Sequence, residues 1–172
     1  MDQHVDQKQE EGGTVAFGDR IARACADRMF ANDEASRSLG MEIADVTAGR
    51  AVLTMTVRDN MTNGQKICHG GFMFTLADSA FAFACNGYNQ FTVAQHCAID
   101  FLKTVFAGDT LTAVAEEQTK TGRSGVYDVV ITDQNENTVA LFRGLSRTVK
   151  GNHFKDEELA ELRAQVGGGT VA

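Results

Sequence analysis

The stretch His69–Asn86 constrains this chain more than any other. It reads His-Gly-Gly-Phe-Met-Phe-Thr-Leu-Ala-Asp-Ser-Ala-Phe-Ala-Phe-Ala-Cys-Asn, rich in alanine and free of proline, which predicts one helix. Wound as a helix, it carries Phe72, Met73, Leu76, Ala77, Ala80, Phe81, Phe83 and Ala84 on nearly every side. A helix that is apolar all round is buried all round, so the rest of the chain must enclose it. Asp78, in its middle, is the only charged side chain between Gly70 and Cys85. A lone buried carboxylate is unfavourable unless it is paired or put to use. Two readings follow for it: a structural aspartate bonded to a neighbouring strand, or a catalytic base or nucleophile.

Gly70 and Gly71 open the helix, where unpaired backbone N–H groups and the helix dipole favour negative charge. Such an end binds a phosphate or an oxyanion developing on a carbonyl. Asp78 lies eight residues further on, roughly 12 Å along the axis, too far to act on the same reacting atom. Two antiparallel copies of the helix, related by a two-fold axis, bring the helix start of one chain to the aspartate of the other, twice over. The expectation is a site built between subunits.

The remainder of the chain is short enough for one domain at 172 residues, and long enough for a proper core. A net charge of −7 argues against a nucleic-acid partner but not against a ligand carrying phosphates. Cys25, Cys68, Cys85 and Cys97 lack the spacing of a disulfide framework and read as reduced thiols. The polar N-terminus has no signal-peptide core, and the apolar helix is shorter than a membrane span. These features predict a cytoplasmic protein with no membrane partner.

Residues 1–16 read as a disordered tail, 17–150 as the folded domain and 151–172 as a charged C-terminal extension. Within the domain, Phe17 to about Ala35 is expected to form an amphipathic helix, and Leu39–Val57 a hairpin turning at Thr47–Arg50. A loop, 58–68, leads into the central helix. Four strand-like runs follow, Thr92–Lys103, Thr110–Thr121, Gly125–Asp133 and Val139–Val149, read as a meander. Asp156–Gln165 reads as a short charged helix, and Gly167-Gly168-Gly169 as a loose end. The architecture expected is α+β: an antiparallel sheet of five or six strands wrapped round the long helix.

Asn63, His69-Gly70-Gly71 and Asp78 at their joint spacing, followed by Ala80-Phe81-Ala82 and Ala84-Cys85-Asn86, resemble the hotdog-fold thioesterases of the phenylacetate-pathway, or PaaI-type, branch. Ile99-Asp100-Phe101-Leu102 and Ala107–Leu111 extend the resemblance, which covers about residues 35–150. It implies a hotdog fold, dimers that pair into tetramers, and hydrolysis of acyl-CoA thioesters at the subunit interface, with coenzyme A part of the substrate and no separate cofactor. By the same resemblance Asp78 matches the catalytic carboxylate and Gly70 or Gly71 the amide that polarises the carbonyl. Asn63 and His69 match positioning groups from the opposite subunit. Some relatives place a serine after the helix to hold the attacking water; here the run is Val93-Ala-Gln-His-Cys97, without one.

Other constellations carry less chemistry. Cys68-His69 are sequence neighbours whose side chains diverge at a helix start, a poor nucleophile–base dyad, and with His96-Cys97 they lack zinc-ligand spacing, so no metal is expected. Arg123, with Lys120 nearby, is a candidate for a CoA phosphate, equally a solvated turn charge. Phe72, Phe74, Phe81 and Phe83 are mostly core, one of them, Phe72 first, or Phe91 lining an acyl pocket. A thioesterase for phenylacetyl-CoA or a ring-hydroxylated relative leads. The alternatives are a dehydratase of the same fold using His69 with a carboxylate, and a non-catalytic acyl-CoA sensor.

Overall fold

The computed structural model describes residues 3–167, with side chains from Phe17 to Ala164. Its elements in chain order are α1 (Gln3–Ala31), α2 (Glu34–Ser38), β1 (Glu42–Thr47), β2 (Arg50–Thr56), a 3-10 turn (Asp59–Met61), α3 (Gly70–Cys85), β3 (Thr92–Phe101), β4 (Thr110–Thr121), β5 (Ser124–Thr132), β6 (Thr138–Thr148) and α4 (Asp156–Gly167). The central helix starts and stops one residue inside the apolar run, with His69 and Asn86 as its caps.

α3 touches all six strands of a single antiparallel sheet. Six strands about 4.8 Å apart would span roughly 24 Å if flat, about twice a helix diameter, so the sheet must curve for both edges to reach the helix. This is the hotdog fold. Met73, Leu76, Ala77, Ala80, Phe81, Phe83 and Ala84 are buried against it, and each large apolar side chain contributes about 1.5–3 kcal/mol. Asp78 is half-buried, on a stripe of α3 that the sheet leaves partly uncovered.

Three local expectations change. The backbone is helical back to Gln3, so residues 3–16, read as a tail, continue α1; their Gln, Lys and Glu are good helix formers. Residues 1–2 and the Gly168-Gly169 end lie outside the described residues. The first helix stops at Ala31 rather than Ala35 because Asp33 turns its carboxylate onto the Ser36 N–H (3.0 Å) and caps a separate helix, α2.

The last four strands are also not a meander. The sheet order is β1-β2-β4-β5-β6-β3, so β3 pairs with β6 and its other edge is free. Residues 102–109 carry the chain across the start of α3, held there by Cys68 N–H to Val105 O (2.8 Å) and Val57 N–H to Asp109 O (2.9 Å). Alternation alone does not say which strand becomes a neighbour, and this crossover decides it. β3 also carries a bulge at Gln95, between Ala94 and His96, beyond which Cys97 and Ile99 are the half-buried positions packed toward the core.

Candidate active site

Asp78 opens into a cavity of about 520 Å³, walled by Phe81, Ala82 and Asn86 of α3, by the start of β3, and by Met29, Val149 and His153. Burial pushes its carboxyl above the ordinary range, partly offset by the Cys97 thiol, whose Sγ donates to Oδ1 at 3.7 Å. Burial, and then the charge of Asp78, pushes the Cys97 thiol up to about 11, so it is a donor rather than a nucleophile. Cys25 and Cys85, pushed by burial to about 11 and about 12, are likewise protonated thiols. The neighbouring Ser79 hydroxyl meets Ser36 at 2.9 Å, which pins α2 to α3 beside the carboxylate.

The start of α3 is built by His69. Its Nδ1 accepts the Gly71 N–H at 3.0 Å, which leaves the proton of the neutral ring on Nε2. The Gly71 amide is thereby occupied, whereas among the described residues no acceptor engages the Gly70 N–H. An ideal Cβ at Gly70 would lie 2.7 Å from the tip of the half-exposed Phe101 ring, so a larger residue there displaces that ring from the helix start. Gly70 lines a second cavity of about 360 Å³ with Asn63, Phe101 and Val105. Asn63, which also lines this cavity, accepts the Gln65 N–H on Oδ1 (2.9 Å), an Asx turn that orients the loop.

Asn63 and Gly70 thus line one cavity; the His69 ring caps the helix start but does not line that cavity, and Asp78 faces a different one. Phe72 packs edge-on to the His69 ring, 6.3 Å between centroids, and partly against the core. Lys120 lies 3.7 Å above the Tyr88 ring, and Arg123 is exposed at the β4–β5 turn. Neither reaches Asp78 or Gly70 in this chain. No group of three metal-ligating side chains occurs among the described residues, and Cys68 directs its thiol to the His69 carbonyl rather than to its ring.

Cys97, bonded to Asp78, and His153, in the wall of its cavity, carry no signal of those positions in the sequence. Strict alternation from Thr92 would turn Cys97 outward; the bulge at Gln95, which no local pattern marks, turns it inward with Ile99. His153 sits in a charged segment with no periodic signal.

A family model of the thioesterase superfamily matches residues 65–140. The chain is 49% identical over 126 residues to the acyl-coenzyme A thioesterase PaaI of Escherichia coli, covering 73% of this chain and 90% of that protein. The chain belongs to the PaaI-type family of hotdog-fold acyl-CoA thioesterases. The solved structure of the E. coli PaaI protein from the phenylacetic acid degradation operon matches with a TM-score of 0.77 and 47% identity, covering 78% of this chain and 97% of that one. A hypothetical thioesterase of Streptococcus pneumoniae, solved with coenzyme A, matches at 0.63 and 26% identity, covering 65% of this chain and 90% of its own. As a member of this family the protein is a thioester hydrolase. No helix among the described residues is long and apolar enough to cross a membrane.

Proposed function

We propose that this enzyme hydrolyses phenylacetyl-CoA or a ring-hydroxylated relative, at sites shared between two subunits. The observation that carries the reading is the separation of the two halves of the machinery. Asp78 lies roughly 12 Å along α3 from the Gly70 amide and opens into another cavity. A two-fold partner with antiparallel α3 brings the Gly70 end of one chain to the Asp78 of the other.

In that arrangement the thioester carbonyl oxygen sits on the Gly70 N–H, strengthened by the dipole of α3. Asn63 and His69, from the same end, position the thioester through the Asn63 NH2 and the His69 Nε2–H. Asp78 takes a proton from water as it attacks, or itself adds to the carbonyl carbon, on the way to an anhydride that water later hydrolyses to the acid, freeing the carboxylate. The oxyanion then collapses, the C–S bond breaks, and coenzyme A departs as a thiolate that needs no strong acid. Phe72, Lys120 and Arg123 contribute to substrate binding, the two cations toward the CoA phosphates. The mostly apolar lining of the Asp78 cavity suits an aromatic acyl group. The relatives' PaaI assignment and the CoA-bound streptococcal structure support this reading. The chain's four cysteines are free thiols, in keeping with a cytoplasmic enzyme.

Subunit complementation tests it. Asp78→Asn and Asn63→Ala each inactivate alone; refolded together, half the dimers carry one intact site, restoring about a quarter of wild-type activity. No recovery on mixing means that the site lies within one chain.

A further inference from the structure

The segment after β6 is beyond the stretch that carries the family resemblance, and it is tightly docked. Buried Asn89 grips Phe154 from both sides, accepting its N–H at 2.8 Å and donating to its carbonyl at 3.0 Å. Arg28 lies 3.7 Å over the Phe154 ring and pairs with Glu158 at 2.8 Å. Phe91 N–H donates to Gly151 O (3.0 Å), and an ideal Cβ at Gly151 would fall 2.5 Å from the Phe91 ring. These contacts deliver His153 to the C-terminal end of α3. There its Nε2 meets Asn86 Oδ1 at 2.8 Å, and its ring packs edge-on to Phe91 with centroids 4.8 Å apart. Asn86 Nδ2 donates to two carbonyls, Ala82 and Thr92, so its Oδ1 is the acceptor and His153 Nε2 carries the proton.

His153, Phe91 and Asn86 stand at the far end of the same cavity that Asp78 opens into. Asp78, Ala82 and Asn86 form one stripe of α3 at four-residue steps, so the cavity runs along the helix for about 12 Å from carboxylate to end. We propose that the C-terminal segment is the end wall of the acyl cavity, with His153 and Phe91 limiting the length of acyl group that reaches Asp78. This rests on Asp78 being the catalytic carboxylate. An extended chain advances about 3.3–3.6 Å per three bonds, so roughly ten bonds fill the space. A phenylacetyl group fits within it, and a palmitoyl chain does not.

The test is kcat/KM on phenylacetyl-, decanoyl- and palmitoyl-CoA for full-length wild type, His153→Ala, Val149→Phe and Asp78→Asn. The wild type prefers phenylacetyl-CoA and rejects palmitoyl-CoA. His153→Ala opens the end and raises the palmitoyl-to-phenylacetyl ratio about tenfold or more. Val149→Phe, at a half-exposed wall position that tolerates substitution, fills the cavity and lowers decanoyl turnover relative to phenylacetyl. Unchanged ratios in the two wall variants overturn the proposal, and Val149→Phe alone decides it if His153→Ala does not fold. Asp78→Asn separates the two readings. If it hydrolyses at wild-type rates while the ratios move, the wall stands and the catalytic assignment falls. If it is inactive and the ratios stay fixed, the reverse holds.

Discussion

Asp78 is held in conflict with the fold, and that conflict has two measurable sides. Its pKa is raised in the folded protein, mainly by burial, so the ionised form destabilises the fold: the stability the group contributes is present below its unfolded pKa and lost as pH rises through the folded one. Asp78→Asn is therefore expected to raise Tm at pH 7 while lowering kcat by about 10²–10⁴-fold, the range of a lost general base. Calorimetry and steady-state CoA release check the pair, and a fall in Tm overturns the burial argument. The same shift places the acid limb of the kcat–pH profile above the ordinary carboxylate range, activity falling as pH drops through it. Cys97→Ala removes the donor that stabilises the carboxylate (3.7 Å) and moves that limb to higher pH, while Cys97→Ser keeps it near the wild-type position. A limb that stays put in Cys97→Ala means that the thiol does not act on Asp78.

The central helix and the sheet are matched at single contact points. Gly144 of β6 faces the buried Phe81 ring, where an ideal Cβ would lie 2.9 Å from three ring carbons. Gly144→Ala is expected to destabilise by about 1–3 kcal/mol through overpacking, read as a lower urea midpoint at unchanged slope. At the helix start the His69 ring does the work of a cap, so His69→Ala is expected to lose about 1 kcal/mol. His69→Ser restores the stability by capping in its place but not the activity, because it lacks the imidazole Nε2–H. Recovery of both would reduce His69 to a structural cap. The helix was legible in sequence because its apolar run is continuous and bounded by Gly-Gly and Asn. The role of His69 was not, because a histidine cap depends on the ring's rotamer.

At the scale of the whole molecule, two surfaces are left unsatisfied in one chain. The free edge of β3 runs ten residues with Asp100 as its only carboxylate, and Val93 and Phe101 are about half exposed (50% and 51%). Such an edge is a template for pairing. On the outer face, Val130 and Leu141 are register partners across β5 and β6, 38% and 42% exposed, beside the Arg143–Asp128 ion pair. If dimers form through β3 and pair through this outer face, Leu141→Glu converts a tetramer into an active dimer, which sedimentation and CoA release measure together. A dimer with no activity, or a tetramer that persists, rejects that division of the two surfaces.

By itself the sequence determined most of the elements and the spacing of two residues on the central helix. Periodicity and glycine punctuation marked the hairpin, the central helix and the later strands, because these depend on residues close in the chain. The helix rise alone separated Gly70 from Asp78, the spacing on which the proposed two-chain site rests. Only the tertiary structure decided that β3 crosses to the far edge, that the bulge at Gln95 brings Cys97 to Asp78, and that His153 returns to the wall of the cavity Asp78 opens into. Each of these joins segments far apart in the chain, Asp78 with Cys97 and Asn86 with His153, and such pairings are chosen by packing round the helix, which local pattern does not encode.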